Sequence, residues 1–377
     1  MAAFDGTFPA KFVVPDRVKK GAIVRAGCEL DTDLVDTLEA GTELEVVEKG
    51  LNAKGTVRYR LAKPCEGWVS EKSVEFVPPP EPEPVDPEKD PEAFMAQSPL
   101  TAKGAVLFKV TNGVGVVTLN QPENNNALSA AIFIGLLRCV KYAYDHVGSV
   151  RVVFVKSAGR IFCAGGDPKD FQKAQKMNDD VGEGTPEDNA KSAQEFANRL
   201  KYINECPVPV VALVQGPVFG GGVGICSVCD MVVATERATF QLSEVKLGVI
   251  PATISPYVVE AFGVRASRRY FVTGEPIPAP VCKEFGFVSE VVKDVAALEA
   301  AAQKICDNFT LAAPKAVAAS KALVQGVALK EITPEIIAYT ADQLAKIRVD
   351  GEAVDGMVAL LAKKKPPWAK EPLTVKL

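Results

Sequence analysis

The sequence predicts a large α/β domain preceded by a small all-β unit, and three observations carry that expectation. From about residue 114 onward, short runs of valine, leucine and isoleucine alternate with helical stretches, as strands and helices do in layered α/β domains. Before residue 77, short period-two alternations are broken by glycine and other turn residues, which suits a small antiparallel barrel. Between the two lies a run dense in proline and acid. At 377 residues, with 47% hydrophobic and 24% charged side chains, the chain can bury a substantial core in more than one domain.

The first unit is expected over residues 9–77. Its strands read Ala22–Arg25, Thr42–Val47, Val57–Leu61 and Gly67–Ser70. The Gly41-Thr42-Glu43-Leu44-Glu45-Val46 run followed by Gly67-Trp68-Val69 resembles a bacterial-type SH3-like module. Such a module implies a protein or peptide ligand, with Trp68 either anchoring a groove or filling the barrel core. Residues 78–97 contain Pro78-Pro79-Pro80-Glu81-Pro82-Glu83-Pro84, which suits neither a helix nor a sheet interior and is expected to be an extended spacer. The second unit is expected over residues 104–370. Its strands read Val114–Leu119, Val150–Val155, Val208–Val214 and Met231–Ala234, with helices over Ala130–Tyr144 and Ala190–Ile203.

Within the second unit, three segments carry the chemistry: Phe162-Cys163-Ala164-Gly165-Gly166-Asp167, Val218-Phe219-Gly220-Gly221-Gly222-Val223-Gly224, and Phe240-Gln241-Leu242-Ser243-Glu244. Glycine and alanine let the backbone approach a ligand closely, and a glycine run opening a helix presents unpaired N–H groups at its positive end. Moving a proton beside a thioester carbonyl gathers negative charge on the carbonyl oxygen, so fixed donors there and one carboxyl group form a working set. Taken alone, Gly220–Gly222 is equally a turn or a packing point, and Glu244 is equally a surface carboxylate.

The three segments in this order resemble the crotonase, or enoyl-CoA hydratase/isomerase, superfamily. The strand Val114–Asn120 and the segment Asn126-Ala127-Leu128-Ser129 match as well. The resemblance implies a spiral of ββα turns followed by C-terminal helices. It implies an oxyanion hole from the Ala164 and Gly221 N–H groups and an acid/base at Glu244. Ala164, Gly166, Asp167 and Gly221 are implied to contact the thioester of an acyl-CoA or acyl-carrier-protein substrate. Coenzyme A would enter as part of that substrate, with no metal or redox cofactor. The family's hydratases carry a second carboxylate at the position of Gly224, which is missing here. The run from Ser243 to Ala252, followed by Ile254-Ser255-Pro256-Tyr257, looks most like the methylglutaconyl-CoA hydratase branch. The implied function is therefore a hydratase or dehydratase; a double-bond isomerase with Glu244 as sole proton shuttle and a non-catalytic acyl-CoA-binding scaffold are the alternatives. The family also implies a homotrimer or hexamer through the helical tail, in which Ile336, Ile337, Tyr339, Leu344 and Ile347 are apolar.

Other chemistries are poorly supplied. The single histidine, His146, is expected at a helix end, where a cation complements the dipole. Cys226 and Cys229 have metal-like spacing without a second pair, so two small apolar residues on one helix face are expected instead. The nine cysteines are scattered and odd in number, which favours free thiols in a reducing compartment, with Cys163 a packing residue first and a reactive one second. A net charge of -4 offers no argument for nucleic acid. No apolar run reaches membrane-spanning length, and Met1–Gly6 lacks the charged and apolar regions of a secretory signal. A cytoplasmic protein is expected, with an organelle address also open. Gly182–Asp188 is expected to be a loop near the acyl pocket or an ordinary surface loop. Lys363-Lys364-Lys365 is a candidate for CoA phosphate contact or simply a basic terminus.

Overall fold

A computed structural model describes residues 10–14, 22–26, 34–52, 54, 57–76, 104–167 and 186–377. The chain divides into two compact units, Met1–Pro84 and Val85–Leu377. The expected spacer, residues 78–97, lies outside the described residues, as do Cys28 and residues 182–185 of the expected loop.

The first unit is one antiparallel sheet of seven strands: β1 (Ala10–Val13), β2 (Ala22–Arg25), β3 (Leu34–Leu38), β4 (Glu43–Leu51), β5 (Val57–Lys63), β6 (Gly67–Ser70) and β7 (Glu75–Phe76). The spatial order is β3-β2-β6-β5-β4-β1-β7. Period-two alternation does its expected work: Val24, Leu44, Val46, Leu61 and Val69 point into a core with Phe12 and Tyr59. Trp68 sits half-buried on the opposite face from Val69, and so outside that core. Strands β1, β3 and β7 carry too little alternation to be read from the sequence. The exposure of Leu34 through Thr37 shows why for β3.

The second unit opens with a hairpin of β8 (Val106–Thr111) and β9 (Val114–Leu119), whose two-residue turn is Asn112-Gly113. Both turn residues have positive φ, 49° and 76°, the pair that a primed hairpin turn requires. Thereafter β10 (Val152–Ser157), β11 (Val210–Val214), β13 (Met231–Thr235) and β16 (Glu290–Val292) add in parallel, giving the order β16-β13-β11-β10-β9-β8. A second, small sheet joins β12 (Val218–Phe219), β14 (Thr239–Gln241) and β15 (Ile277–Pro278) in that order. The helices are α1 (Ala130–Asp145), α2 (Pro186–Asn204), α3 (Gly221–Ser227), α4 (Ser255–Thr273), α5 (Ala279–Glu284), α6 (Val295–Leu311), α7 (Pro314–Val327), α8 (Pro334–Arg348) and α9 (Gly351–Leu361).

The central strands β10 and β11 are buried on both faces, as parallel strands covered by helices must be. Val153 and Val155 of β10 enter one core with Val210, Ala212 and Val214 of β11, while Val152, Phe154, Val211 and Leu213 enter the other. The first core is closed by α1, which presents Ile132, Phe133, Leu136, Cys139, Val140 and Ala143 at helical spacing and starts on a Ser129 cap. The second is closed by Leu298, Ala301, Ala302 and Cys306 of α6 and by Leu373 and Val375 of the terminal segment. Arg151 ties these layers together by donating to the carbonyls of Phe309, Ala312 and Trp368, the first two at the C-terminal end of α6. Lys321 of α7 reaches Asp230 at 2.7 Å, and Asp230 also accepts the Val210 N–H, which fastens α7 to the large sheet.

The expected strands and helices are present with small shifts. The strand read as Val150–Val155 begins at Val152, because Val147 and Val150 pair in the turn after α1. His146 is the C-cap of α1, where Nδ1 lies 2.8 Å from the Tyr142 carbonyl and the ring stacks on Tyr142. Ile336, Tyr339 and Ile347 of α8 are half-buried, whereas Ile337 and Leu344 are exposed.

Candidate active site

The three glycine-rich and acidic segments occupy successive rungs of one parallel arrangement. Cys163 pairs in parallel with Val218, and the Phe219 N–H donates to the Cys163 carbonyl at 2.9 Å. On the other side β12 pairs in parallel with β14, Val218 opposite Phe240 and Phe219 opposite Gln241. Each segment then turns at its carboxyl end, at 164–166, 220–222 and 242–244 respectively. Open α/β sheets collect ligands at such carboxyl ends, where backbone groups leave the ladder and become available.

The middle turn is built for close approach. Gly220 adopts φ 47° and ψ −120°, which an L side chain resists, and its N–H donates to the Gln241 carbonyl at 2.9 Å. A Cβ at Gly220 would lie 3.1 Å from Glu244 Oε1. The carboxyl group is therefore packed against the glycine turn itself. Helix α3 starts at the next residue, and among the described residues the Gly221 N–H donates to no backbone carbonyl. It is one of the unpaired donors that a helix start leaves. A side chain at Gly221 or Gly222 would collide with Leu128 or with Cys163, so both positions are kept bare by their neighbours.

Glu244 opens a short 3-10 turn, Glu244–Leu247, and is half-buried. Its Oε2 is buried with no hydrogen-bond partner among the described residues. Burial raises its pKa above the ordinary carboxylate range, opposed by a backbone hydrogen bond that lowers it. A carboxyl group with a raised pKa, packed against a glycine turn and with one oxygen unpaired, is suited to both accepting and giving a proton.

Ala164, expected as the first oxyanion donor, is not free to act as one. Its N–H donates to the Asn125 carbonyl at 3.0 Å. Two residues on, Gly166 is exposed, and among the described residues its N–H donates to no backbone carbonyl. The preceding carbonyl, Gly165, accepts the Leu128 N–H at 2.8 Å, and Leu128 pairs with Gly166 in an isolated parallel bridge. The Leu128 side chain would also lie 2.8 Å from a Cβ at Gly221. Leu128 thus touches both candidate donor segments. Of the two N–H groups, that of Gly166 is therefore the one without a backbone acceptor among the described residues. Asp167 closes the described part of this segment and is half-buried.

The position of the missing second carboxylate is closed. A Cβ at Gly224 would run into the Ile254 side chain and come within 3.7 Å of Leu200. Apolar neighbours have taken the volume that an acid would need there. Phe196 of α2 reaches within 3.3 Å of the Cβ position at Gly221 and packs edge-on against Phe133, adding to the apolar surround. These lining residues were absent from the sequence reading, because nothing in α2 or at Ile254 distinguishes a pocket wall from ordinary core.

Cys163 is wholly buried under the glycine turn, and burial pushes its pKa up to about 12. Cys226 is buried too, and Cys229 donates to the Ile225 carbonyl. Among the described residues no cluster of histidine, cysteine and carboxylate has metal-holding geometry, and no helix is long and apolar enough to cross a membrane. Trp368, beside the Lys363–Lys365 run, donates Nε1–H to the Leu311 carbonyl, and the three lysines are exposed.

The chain is similar to known proteins in sequence and fold. Residues 109–371 match the family model described as enoyl-CoA hydratase/isomerase. An enoyl-CoA hydratase of Alternaria alternata is 33% identical over 62% of this chain and 74% of its own length. A crystal structure of an enoyl-CoA hydratase from Shewanella pealeana has a TM-score of 0.65 at 32% identity, covering 70% of this chain and 95% of that one. The structure of AtuE from Pseudomonas aeruginosa has a TM-score of 0.65 at 32% identity, covering 71% of this chain and all of that one. With the family model spanning well over half of the chain, from the β8–β9 hairpin through the terminal helices, the protein belongs to the enoyl-CoA hydratase/isomerase family.

Proposed function

We propose that the protein adds water across, or removes it from, the α,β bond of an acyl-CoA or acyl-carrier-protein thioester. The Gly166 and Gly221 N–H groups bind the thioester oxygen and Glu244 carries the proton. The observation that carries this reading is the contact of the Glu244 carboxyl with the Gly220 turn, one residue from the unpaired Gly221 donor. In the dehydration direction Glu244 takes the proton from the α carbon. The electron pair moves toward the carbonyl oxygen, held by the two N–H groups, and then forms the double bond as the β-hydroxyl leaves with a proton from the same carboxyl. Hydration runs these steps in reverse. Such fixed donors contribute about 3–4 kcal/mol each when aimed at developing charge.

The hydratase names of the relatives favour this direction. A second reading, a double-bond isomerase, is favoured by the closed wall at Gly224, since moving a proton between two carbons needs one carboxyl group and no bound water. The exposed apolar residues of the tail support assembly into a homotrimer or hexamer. The seven-stranded unit is proposed as an SH3-like module with a protein or peptide ligand, and the enzyme as cytoplasmic.

The deciding experiment incubates the protein with 3-methylglutaconyl-CoA, crotonyl-CoA and a 3-enoyl-CoA in deuterated water and follows products by mass spectrometry. A product gaining one water supports the hydratase. Migration of the double bond with label uptake and no added water replaces it with the isomerase. No change in any of the three overturns both and leaves an acyl-CoA-binding scaffold.

A further inference from the structure

The segment that offers Gly166 leaves the large sheet after Ser157. Phe162 and Cys163 pair with the β12 segment, and the residues around them are also gripped by the loop after β9. The residue at the centre of that clamp is Asn126. Its side chain is fully buried, at 0% exposure, and it adopts φ 53°, a left-handed conformation that asparagine tolerates better than other residues with a Cβ. Asn125 before it has φ 57°. Two successive left-handed residues reverse the chain sharply and turn the Asn125 carbonyl toward Ala164.

Every polar atom of the Asn126 side chain is used. Oδ1 accepts the Gln121 N–H at 2.8 Å, and Nδ2 donates to the carbonyls of Ala158 at 2.9 Å and Ile161 at 3.0 Å. One side chain thus joins the end of β9, the turn after β10 and the start of the Phe162–Asp167 segment. The Ile161 carbonyl also accepts from Ser157 Oγ at 3.3 Å, and Ser157 in turn accepts from the buried Gln215 at 2.8 Å. Three residues further along, the Asn125 carbonyl accepts the Ala164 N–H, and the Leu128 N–H donates to the Gly165 carbonyl. The loop therefore uses the Ala164 N–H and the Gly165 carbonyl, the hydrogen-bonding groups just before Gly166. The N–H of Gly166 is left as the donor that nothing in the loop uses.

We infer that Asn126 is a positioning residue for the oxyanion site: it aims the Gly166 N–H at the thioester oxygen through its bonds to Ala158 and Ile161. This rests on the reading of Gly166 and Gly221 as the donor pair. A buried amide that satisfies three backbone groups fixes them more tightly than solvent does, because each bond forms in a low-dielectric interior with no competing water. Displacing a donor by about 1 Å at a site remote from the chemistry can cost about a hundredfold in rate.

Asn126→Asp is the informative substitution. It keeps the oxygen that accepts from Gln121 and removes both donors to Ala158 and Ile161. The first readout is the carbonyl stretch of crotonyl-CoA, isotope-labelled at the thioester carbon and bound to the Glu244→Gln protein, where proton transfer is blocked. In Glu244→Gln the stretch is expected at lower frequency than in free crotonyl-CoA; in Glu244→Gln with Asn126→Asp it is expected to return toward the free value. The second readout is turnover of Asn126→Asp alone, expected to lose about tenfold to a hundredfold in kcat with little change in KM. If the stretch is displaced in Glu244→Gln and stays fully displaced with Asn126→Asp, the positioning role is overturned while the donor pair stands. If bound crotonyl-CoA shows no displaced stretch even in Glu244→Gln, the donor pair itself fails and this inference falls with it. Should Asn126→Asp not fold, Asn126→Gly accepts the same left-handed backbone and removes the bonds to Ala158 and Ile161 without burying a charge. Return of the stretch toward the free value then supports the inference, and an unchanged stretch overturns it.

Discussion

The parallel spiral and the helical tail of the second unit are made from similar proportions of apolar residues and end in opposite states. In β11 all five residues are buried, and the strands on either side of it feed two closed cores. In α7 and α8 no residue is buried, and in α9 only Ala359 is. Val354, Met357, Val358 and Leu361 of α9 follow helical spacing and are 53%, 57%, 61% and 78% exposed. A spiral that satisfies itself can hold backbone donors at fixed positions with no outside help. A tail that leaves an apolar stripe in water has the surface of an element completed by another chain. The difference separates chemistry from assembly: substitutions at the turns of the spiral are expected to act on catalysis or on folding, and those on the stripe on association.

The largest expected effect comes from Glu244→Gln. The substitution keeps shape and polarity, so the spiral is expected to retain its circular dichroism and melting behaviour. Loss of the carboxyl group packed against the glycine turn is expected to lower kcat by about a thousandfold. The pH profile sharpens this. Burial raises the Glu244 pKa, so in the dehydration direction, where the ionised form is the base, the rising limb of activity is expected above the ordinary carboxylate range. The sign for stability is the reverse of the usual salt-bridged acid: the folded state favours the protonated form, so this contribution is present at low pH and is lost as pH climbs through the raised folded pKa. In Glu244→Gln that limb should vanish. A variant that is folded, keeps full turnover on the true substrate and retains the same limb would remove Glu244 from the mechanism.

Next in size is a substitution that sets the spiral against itself. Gly224→Glu restores the carboxylate that the family's hydratases carry, yet its Cβ meets Ile254 in a closed core. Overpacking of that kind costs about 1–3 kcal/mol, and a carboxylate pressed among Ile254 and Leu200 adds to it. A fall in melting temperature with no gain in hydration is expected. Pairing it with Ile254→Ala opens the space, and recovery of stability together with faster hydration of crotonyl-CoA is the expected outcome. If Gly224→Glu alone melts as the parent does, the wall is softer than its contacts indicate.

Much of this organisation was legible in the residues and some of it was not. The fully apolar strand Val210–Val214 announces itself because a strand buried on both faces leaves no room for polar residues, and Val114–Leu119 does so nearly as well with Thr118 its one polar residue. Strands β12 and β14 are two and three residues long, too short for a period to register, although they align the triple glycine with Glu244. Glu244 and Gly221 were legible as members of a motif. Gly166 was legible as a thioester contact but not as the residue with the unbonded N–H, because that depends on where Asn125 and Leu128 send their own groups, and those partners lie about 40 residues away in sequence. Ile254 was likewise unreadable as the residue that closes position 224. Asn125-Asn126 carried a usable signal, since consecutive asparagines often mark left-handed turns, but nothing local says what such a turn grips.

The smallest effect on the single chain is expected on the tail, and it tests the comparison from its other side. Met357→Glu combined with Leu361→Glu places two charges on the exposed stripe of α9, one turn apart. For an isolated chain, surface changes of this kind shift stability by about 0.5 kcal/mol or less. In an assembly that buries the stripe, each carboxylate would be desolvated without a partner, and association would fail. Light scattering at several concentrations separates the cases: the parent is expected at the mass of three or six chains and the double variant at the mass of one. Hydrogen exchange in β10 and β11 is expected to stay as slow in the variant as in the parent, because Val153, Val155, Val210 and Val214 are closed over by their own chain. A double variant that keeps the parent's mass would mean the stripe faces water in the native assembly. Exchange that accelerates in β11 along with dissociation would mean that the spiral, too, depends on its neighbours, and the contrast between the two regions would be one of degree.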